Sequence, residues 1–360
     1  MVSPASVLRQ PRTGRPVWKA PNPGSSQEWL RHLSPVHAEE IAQALRAVHA
    51  SGIPLLKVTA THFPLPTLAR ELRHIADTLE NGPGFALIKG LPVERCSEAA
   101  ASLVFWGMCQ HLGTPVSQNA AGHVLGHVRD TGRTMGDPAV RGYQTREALP
   151  FHTGGSDVLG LMCLRAARSG GRISVASSGA VYNEVLARRP DLVELLYRTY
   201  FLDRRQEQAP GEEPYYALPL ACWYDGKLSM RYNRRFLESA QRFPGVPRLE
   251  SADTELFDLM DEIADSSEFR CDVDFTEGDV LLINNHTVLH SRTDYEDFAE
   301  PDRKRHLLRL WLTLREGRRL PAEFWGDMHG NTRGAGRGGI APRDVVAEHV
   351  DHRSKRKWGR

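Results

Sequence analysis

The residues best suited to chemistry stand in two short stretches. The first is Pro150-Phe151-His152-Thr153-Gly154-Gly155-Ser156-Asp157, and the second is Asn284-Asn285-His286-Thr287-Val288-Leu289-His290-Ser291-Arg292. A ferrous centre that activates dioxygen needs three protein ligands on one face, leaving the other positions open for cosubstrate and gas. Two of the three come from one strand as H-x-D or H-x-E, because alternate strand residues point to the same side. The third is a histidine from a distant strand that packs alongside. His152 opens such a pair, and His290 closes a strand-like run introduced by the tight-turn sequence Glu277-Gly278-Asp279. Gly154 stands where the carboxylate should be. Taken singly, each histidine is one of 15 with no special partner.

The segment Arg305-His306-Leu307-Leu308-Arg309-Leu310-Trp311-Leu312 tips that balance. On a period-2 strand its arginines share a face. A dicarboxylate such as 2-oxoglutarate needs a fixed cation, and guanidinium binds it bidentately without losing charge. Arginines set among Leu307, Leu310, Trp311 and Leu312 are expected to be half-buried, and so to meet anions.

Positioning these residues requires strands. From about residue 114 the chain breaks into short apolar runs separated by turns: 124–128, 158–165, 173–177, 227–232, 280–284 and 307–314. Helices come first, over about 35–48, 68–79 and 97–111, with Ser34-Pro35 as a start signal and Gly82 as a stop. Further helices over 181–196 (split by Pro190), 236–242 and 254–264 interrupt the strands. This order predicts a mixed β fold with helices, its core a double-stranded β-helix, or jelly roll, with N-terminal and inserted helices. The expected division is a flexible arm over 1–27, a single catalytic domain over 28–326, and a Gly-rich basic tail over 327–360, mobile or folded over the body.

Composition sets bounds on partners. Of the 360 residues 25% are charged and 41% hydrophobic, and the net charge is only +2, which gives no reason to expect a nucleic-acid polymer or a membrane surface as partner. The five cysteines form no C-x-x-C pair, which fits a reducing cytoplasm. Neither a signal peptide nor an apolar run of about 18 residues is evident. A homo-oligomer is compatible with the sequence.

At these residues the chain resembles the TauD/TfdA-like (clavaminate-synthase-like) Fe(II)/2-oxoglutarate dioxygenases. The resemblance rests on Tyr143-Gln144-Thr145, Leu149 to Thr153, Ser169-Gly170-Gly171, Ser177-Ser178 with Val181-Tyr182-Asn183, Arg189 to Leu192, Arg231 to Arg235, Asn284 to Arg292 and Arg305 to Leu312. It implies a double-stranded β-helix, Fe(II), 2-oxoglutarate and O2, with His152 and His290 as iron ligands. Arg305 would hold the distal carboxylate of 2-oxoglutarate and Arg309 would lie near its other end. The family also offers a hydroxyl after Gly170-Gly171; here Arg172-Ile173-Ser174 follows, which makes Ser174 the candidate with a one-residue shift.

Gly154 is the larger departure. Loss of the carboxylate opens a coordination position and removes a negative charge, and a chloride ion restores both. Related halogenases carry H-x-A or H-x-G here, so the resemblance implies radical halogenation of an unactivated C–H, with the halide where the carboxylate oxygens would be. Three alternatives stand beside it. Asp157 could replace the ligand, although it falls on the other strand face by parity. Water could fill the position in a hydroxylase with an incomplete triad. The protein could be a catalytically inactive metabolite-binding protein, against which His152, His290, Arg305 and Arg309 together argue. His286 is a minor rival for the metal, and Gln118, His123 and His127 are residues that could reach the pocket. The arginines at 204, 205, 231, 234 and 235, with Tyr143, Trp223 and Tyr232, rank a free nucleotide first as the small-molecule substrate and an amino acid second.

Overall fold

A computed structural model of the chain describes residues 7–20, 24, 26–93, 96–321, 324 and 337–343. Its centre is two facing sheets. The larger has seven strands, in the order 30–32, 85–89, 280–284, 158–165, 306–314 and 113–116, with 125–128 also paired to 306–314. The smaller has four, in the order 271–273, 173–177, 288–292 and 149–152. Phe85, Leu159, Leu161 and Leu307 of the larger sheet meet Ile173, Val175 and Val288 of the smaller in one buried cluster. This is the jelly-roll core expected from the sequence.

Helices cover both outer faces. Pro35–Ser51, Leu68–Asn81 and Glu98–Cys109 pack on the larger sheet, through Ala86, Ile88, Met162, Leu282 and Leu310. Ser178–Arg188 and Ser251–Asp265 pack on the smaller, through Phe151, Ala176 and Leu289. The strand His306–Leu314 is therefore buried along its whole length, which explains its nearly unbroken apolar run. Alternation still sorts its side chains: Leu308, Leu310 and Leu312 go to the helices, while Leu307 and Trp311 go between the sheets.

Local signals behave as their chemistry requires. Ser34 caps the first long helix by accepting from the His37 amide, and Gly52 ends it at φ 65° in the left-handed region. In the turn before the strand Val280–Asn284, Gly278 adopts φ 82° and the Asp279 carboxylate accepts from the Thr276 amide at 2.9 Å. Pro190 ends the helix Ser178–Arg188 and starts a 3-10 segment. The run at 227–232 departs from expectation: Lys227–Met230 forms a hairpin with Ala221–Tyr224, outside both large sheets.

Of the expected N-terminal arm, residues 7–20, 24, 26 and 27 are described, and residues 7–20 lie against the body. Trp18 is buried, donates to the Pro83 carbonyl at 2.8 Å and packs on Phe85. Of the expected tail, only residues 337–343 are described, and these are folded over the body; the basic run at 353–357 lies outside the described residues.

Candidate active site

The strand Leu149–His152 pairs with the strand Val288–Arg292, and the rung that joins them places His152 opposite His290. Their ring centroids are 4.3 Å apart. Nδ1 of His152 donates to the Pro150 carbonyl at 2.8 Å, which leaves Nε2 with its lone pair. Among the described residues, Nδ1 of His290 is buried with no hydrogen-bond partner, a state that a bound metal relieves. Burial pushes His152 down to about 4, and Arg231, Arg292 and Arg235 also oppose its protonation. Burial, and then His152 itself, holds His290 well below the usual histidine range. Two neutral imidazoles side by side in a pocket fit a ferrous ion, and His152 and His290 are the residues that would hold it.

The chain turns sharply after His152. The Gly154 amide donates to Oδ1 of Asn285 at 2.7 Å, and Nδ2 of Asn285 donates to the Ser156 carbonyl at 2.9 Å. A Cβ on Gly154 would stand only 2.9 Å and 3.0 Å from those two amide atoms. Asp157 does not supply the missing carboxylate. It is buried behind the turn, where it takes bonds from Nε2 of His286 at 2.8 Å, from the Leu314 amide at 3.0 Å and from the Arg337 guanidinium at 2.9 Å. His286 is likewise committed to Asp157 rather than to a metal. Burial outweighs that carboxylate and pushes His286 down to about 4, so the contact is a neutral N–H bond and Arg337 balances the charge.

The two strand arginines serve different parts of the pocket. Arg305 and Arg292 both lie over the Tyr295 ring, at 4.8 Å and 5.0 Å. Nη1 of Arg305, and Nε and Nη1 of Arg292, are buried without an acceptor among the described residues. Burial, and then the neighbouring Arg305, push Arg292 down to about 10. Such a pair needs an anion, and the carboxylate of a cosubstrate answers that need. Arg292 was not singled out from the sequence, although its place two residues after His290 puts it on the same strand face. Arg309 lies instead over Tyr143 at 4.0 Å and Trp311 at 5.2 Å, and its Nε donates to Gln118. Ser174 does not join these groups. It pairs with Ser291, one step out of phase with His290, and its hydroxyl donates to Asp272 at 2.6 Å.

His152, His290, Gly154, Arg305 and Arg309 line one pocket of about 340 Å³. Arg204, Arg231, Arg234 and Arg235 reach it too, as do Arg141 and Ile340, for which the sequence holds no local signal. Among the described residues three carboxylates line it, and each is held by an arginine: Asp203 by Arg242, Glu207 by Arg141 and Glu238 by Arg234. Other candidates lie elsewhere. Arg205 is buried against the Val140 carbonyl, Trp223 sits under Arg12, and the Tyr232 hydroxyl donates to Asp261. His123 contacts Asn119, and His127 forms a cluster with His306 and Glu98. The 2.8 Å between Nδ1 of His127 and Nε2 of His306 is a hydrogen bond, and Arg165 donates to the remaining nitrogen of His306 at 3.1 Å. These bonds occupy both ring nitrogens of His306 and Nδ1 of His127.

Comparisons with known proteins bear on the family and the fold. Residues 48–311 match the family model described as taurine catabolism dioxygenase TauD, TfdA family. FR-33289 synthase of Streptomyces rubellomurinus is 33% identical over 328 residues, covering 89% of this chain and 96% of that protein. The taurine hydroxylase-like protein SAT17 of Stachybotrys chartarum is 30% identical over 308 residues, covering 82% and 77%. A uridine-5'-phosphate dioxygenase of an Amycolatopsis species is 29% identical over 150 residues, covering 41% and 52%. Among solved structures, asparagine oxygenase with Fe(II), 2S,3S-3-hydroxyasparagine and succinate gives a TM-score of 0.61 at 14% identity, over 79% of this chain and 93% of that one. The non-heme iron oxygenase OrfP with Fe and alpha-ketoglutaric acid gives 0.59 at 20% identity, over 79% and 93%.

Proposed function

Because this chain belongs to the TauD/TfdA dioxygenase family, whose members use Fe(II), 2-oxoglutarate and O2, we propose that it halogenates an unactivated C–H of a small anionic metabolite. The observation that carries the reading is Gly154 itself, two residues after His152, with Asp157 spent on His286 and Arg337. Bound iron supplies the oxidising power for C–H cleavage when 2-oxoglutarate and O2 are present. The chain supplies the rest. His152 and His290 hold the metal as neutral imidazoles, while Arg305 and Arg292 fix the distal carboxylate of 2-oxoglutarate. Gly154 contributes no carboxylate, which leaves a metal position for chloride to fill beside the Asn285 carboxamide, and the surrounding arginines favour an anion there. The reaction balances as substrate R–H, 2-oxoglutarate, O2, chloride and a proton giving R–Cl, succinate, CO2 and water. Positioning would decide the outcome, because the pocket must hold the target C–H of the substrate nearer the halide than the oxygen.

Arg309, with Arg141, Arg231 and Arg235, faces the remaining side of the pocket beside Tyr143 and Trp311. Guanidinium and aromatic faces together suit a nucleotide, and an amino acid ranks second. The relative named uridine-5'-phosphate dioxygenase supports that order.

Hydroxylation is the second reading. The Asn285 carboxamide against Gly154 is a neutral polar neighbour that suits water as well as halide, and the names of the relatives above favour oxygenation. Products from a metabolite panel, including uridine 5'-monophosphate, separate the two by mass spectrometry with chloride and then bromide. A mass shift that follows the halide supports halogenation. A product that gains only oxygen in both salts, with an anaerobic charge-transfer band indifferent to halide, sinks it.

A further inference from the structure

Residues 337–343 run from Asp157, behind the turn at Gly154, to the loop 206–208, whose Glu207 lines the pocket. At the back, Arg337 forms a two-point ion pair with Asp157, at 2.9 Å and 2.9 Å, and donates to the Arg318 carbonyl at 2.6 Å. The Thr313 hydroxyl holds the Arg337 carbonyl at 2.6 Å. The Gly339 amide then donates to the Gly155 carbonyl at 2.8 Å, beside the candidate metal ligands, and the Ile340 amide donates to Ser117 at 2.8 Å. At the far end the Arg343 amide donates to Ala120 at 2.9 Å, and its guanidinium donates to the Gln208 carbonyl at 2.7 Å. The segment thus ties together three loops around the pocket: 117–120, 154–157 and 206–208. Ile340 lines the pocket itself. The neighbouring Gln118 holds Arg309.

Two glycines make this path possible. Gly338 and Gly339 adopt φ 82° and 79°, which other residues rarely adopt. A Cβ on Gly339 would also stand 2.7 Å from the Ser117 carbonyl oxygen and 2.9 Å from Cβ of Val116. Asp157 acquires a purpose here: the nearest carboxylate after His152 is spent on anchoring this segment.

We propose that residues 337–343 form a strap that completes the substrate side of the pocket, with Ile340 meeting the substrate and Arg337 acting as positioning residue. The strap rests on the reading of this pocket as an oxygenase site. Three kinds of variant test it in the full-length protein. Gly339→Val wedges the strap off while leaving the Arg337–Asp157 pair intact. In the metal-free protein it is expected to speed deuterium exchange in peptides over 337–343 at least tenfold, with little change in the strand His306–Leu314. Arg337→Leu is expected to do the same and Arg337→Lys to restore most of the protection. Ile340→Trp keeps the backbone bonds but intrudes into the chamber. It is expected to change kcat for succinate formation from 2-oxoglutarate, without added substrate, at least threefold. KM for 2-oxoglutarate should stay within twofold, because Arg305 and Arg292 serve another wall. Unchanged exchange in both Gly339→Val and Arg337→Leu, or a wild-type kcat in Ile340→Trp, overturns the strap. A wild type that makes no succinate removes the oxygenase reading, while the exchange measurements still judge whether the strap exists.

Discussion

Gly154 stands between two opposed requirements. Chemistry asks for space beside His152, and packing has set the Asn285 carboxamide 2.9 Å from where a Cβ would be. Restoring a carboxylate is therefore a two-residue problem. Gly154→Asp alone is expected to abolish halogenation and to recover little hydroxylation, because Asn285 must leave two buried bonds. Gly154→Asp with Asn285→Ala is expected to give the higher ratio of hydroxylated to chlorinated product by mass spectrometry. Equal chlorination in the parent and both variants would show that halide binds elsewhere. Arg305 carries a second residue-scale prediction. Removing one partner of a buried charge-assisted contact costs about 2–5 kcal/mol. Arg305→Leu should accordingly raise KM for 2-oxoglutarate by about thirtyfold or more at about 1.4 kcal/mol per decade. A KM within threefold of wild type would remove Arg305 from the cosubstrate site.

Strand alternation explains how one element carries both a core and a site. In His306–Leu314 each apolar side chain facing the helices alternates with one facing the pocket, so Arg309 and Trp311 share the inner face. The joints between elements carry the titrating groups. His286, in the loop before the strand Val288–Arg292, is pushed down to about 4. His306, opening the last strand, is pushed down to about 3, by burial and then by His127. An unfolded histidine titrates near 6.5, so between about 6.5 and 4 the unfolded chain binds more protons. Stability is full above that range and is lost as pH falls through it, on the order of 3 kcal/mol from His286. Burial alone would raise Asp157, but His286 and Arg337 outweigh it and hold it low, so its contribution is lost only at still lower pH. Calorimetric Tm should fall steadily from pH 7 to pH 4, and His306→Gln should flatten the slope. A flat Tm over that range would contradict the buried neutral state of both rings.

At the scale of the whole molecule, segments distant in sequence close the same structure. Residues 7–20 pack largely against the helix Ser178–Arg188, through Arg12 to Asn183 and Pro16 to Ser177, and Trp18, 6% exposed, reaches Phe85 of the larger sheet. From the other end of the chain, residues 337–343 bring Ile340 into the pocket lining. Glu80, on a helix of the outer layer, is buried between Lys227 at 2.6 Å and Arg318 at 3.2 Å. Trp18→Ala removes a buried indole and leaves the Pro83 carbonyl without its donor, which should cost about 3–5 kcal/mol. Thermal or urea unfolding would read this directly. A loss below about 1 kcal/mol would mean that the N-terminal segment is not seated as described.

The sequence by itself determined the long helices, the central strands near 124–128, 158–165, 173–177, 280–284 and 307–314, the paired histidines, the missing carboxylate and the strand arginines, but not the short strands 30–32, 113–116 and 271–273 at the sheet edges. Each rests on local periodicity, a turn residue or a spacing, which a chain carries wherever it folds. The hairpin at 221–230 escaped that reading, because a short alternating run does not say which sheet it joins. Only tertiary structure decided what Asp157, His286 and Ser174 do, since parity and spacing do not say which distant group faces a side chain. Arg337 and Ile340 reach the site through chain closure, and no local pattern announces a contact between residues 157 and 337. The same packing set Asn285 against Gly154 and divided Arg305 from Arg309. Residue types stated which chemistry was available, and burial and partnership assigned each group its part.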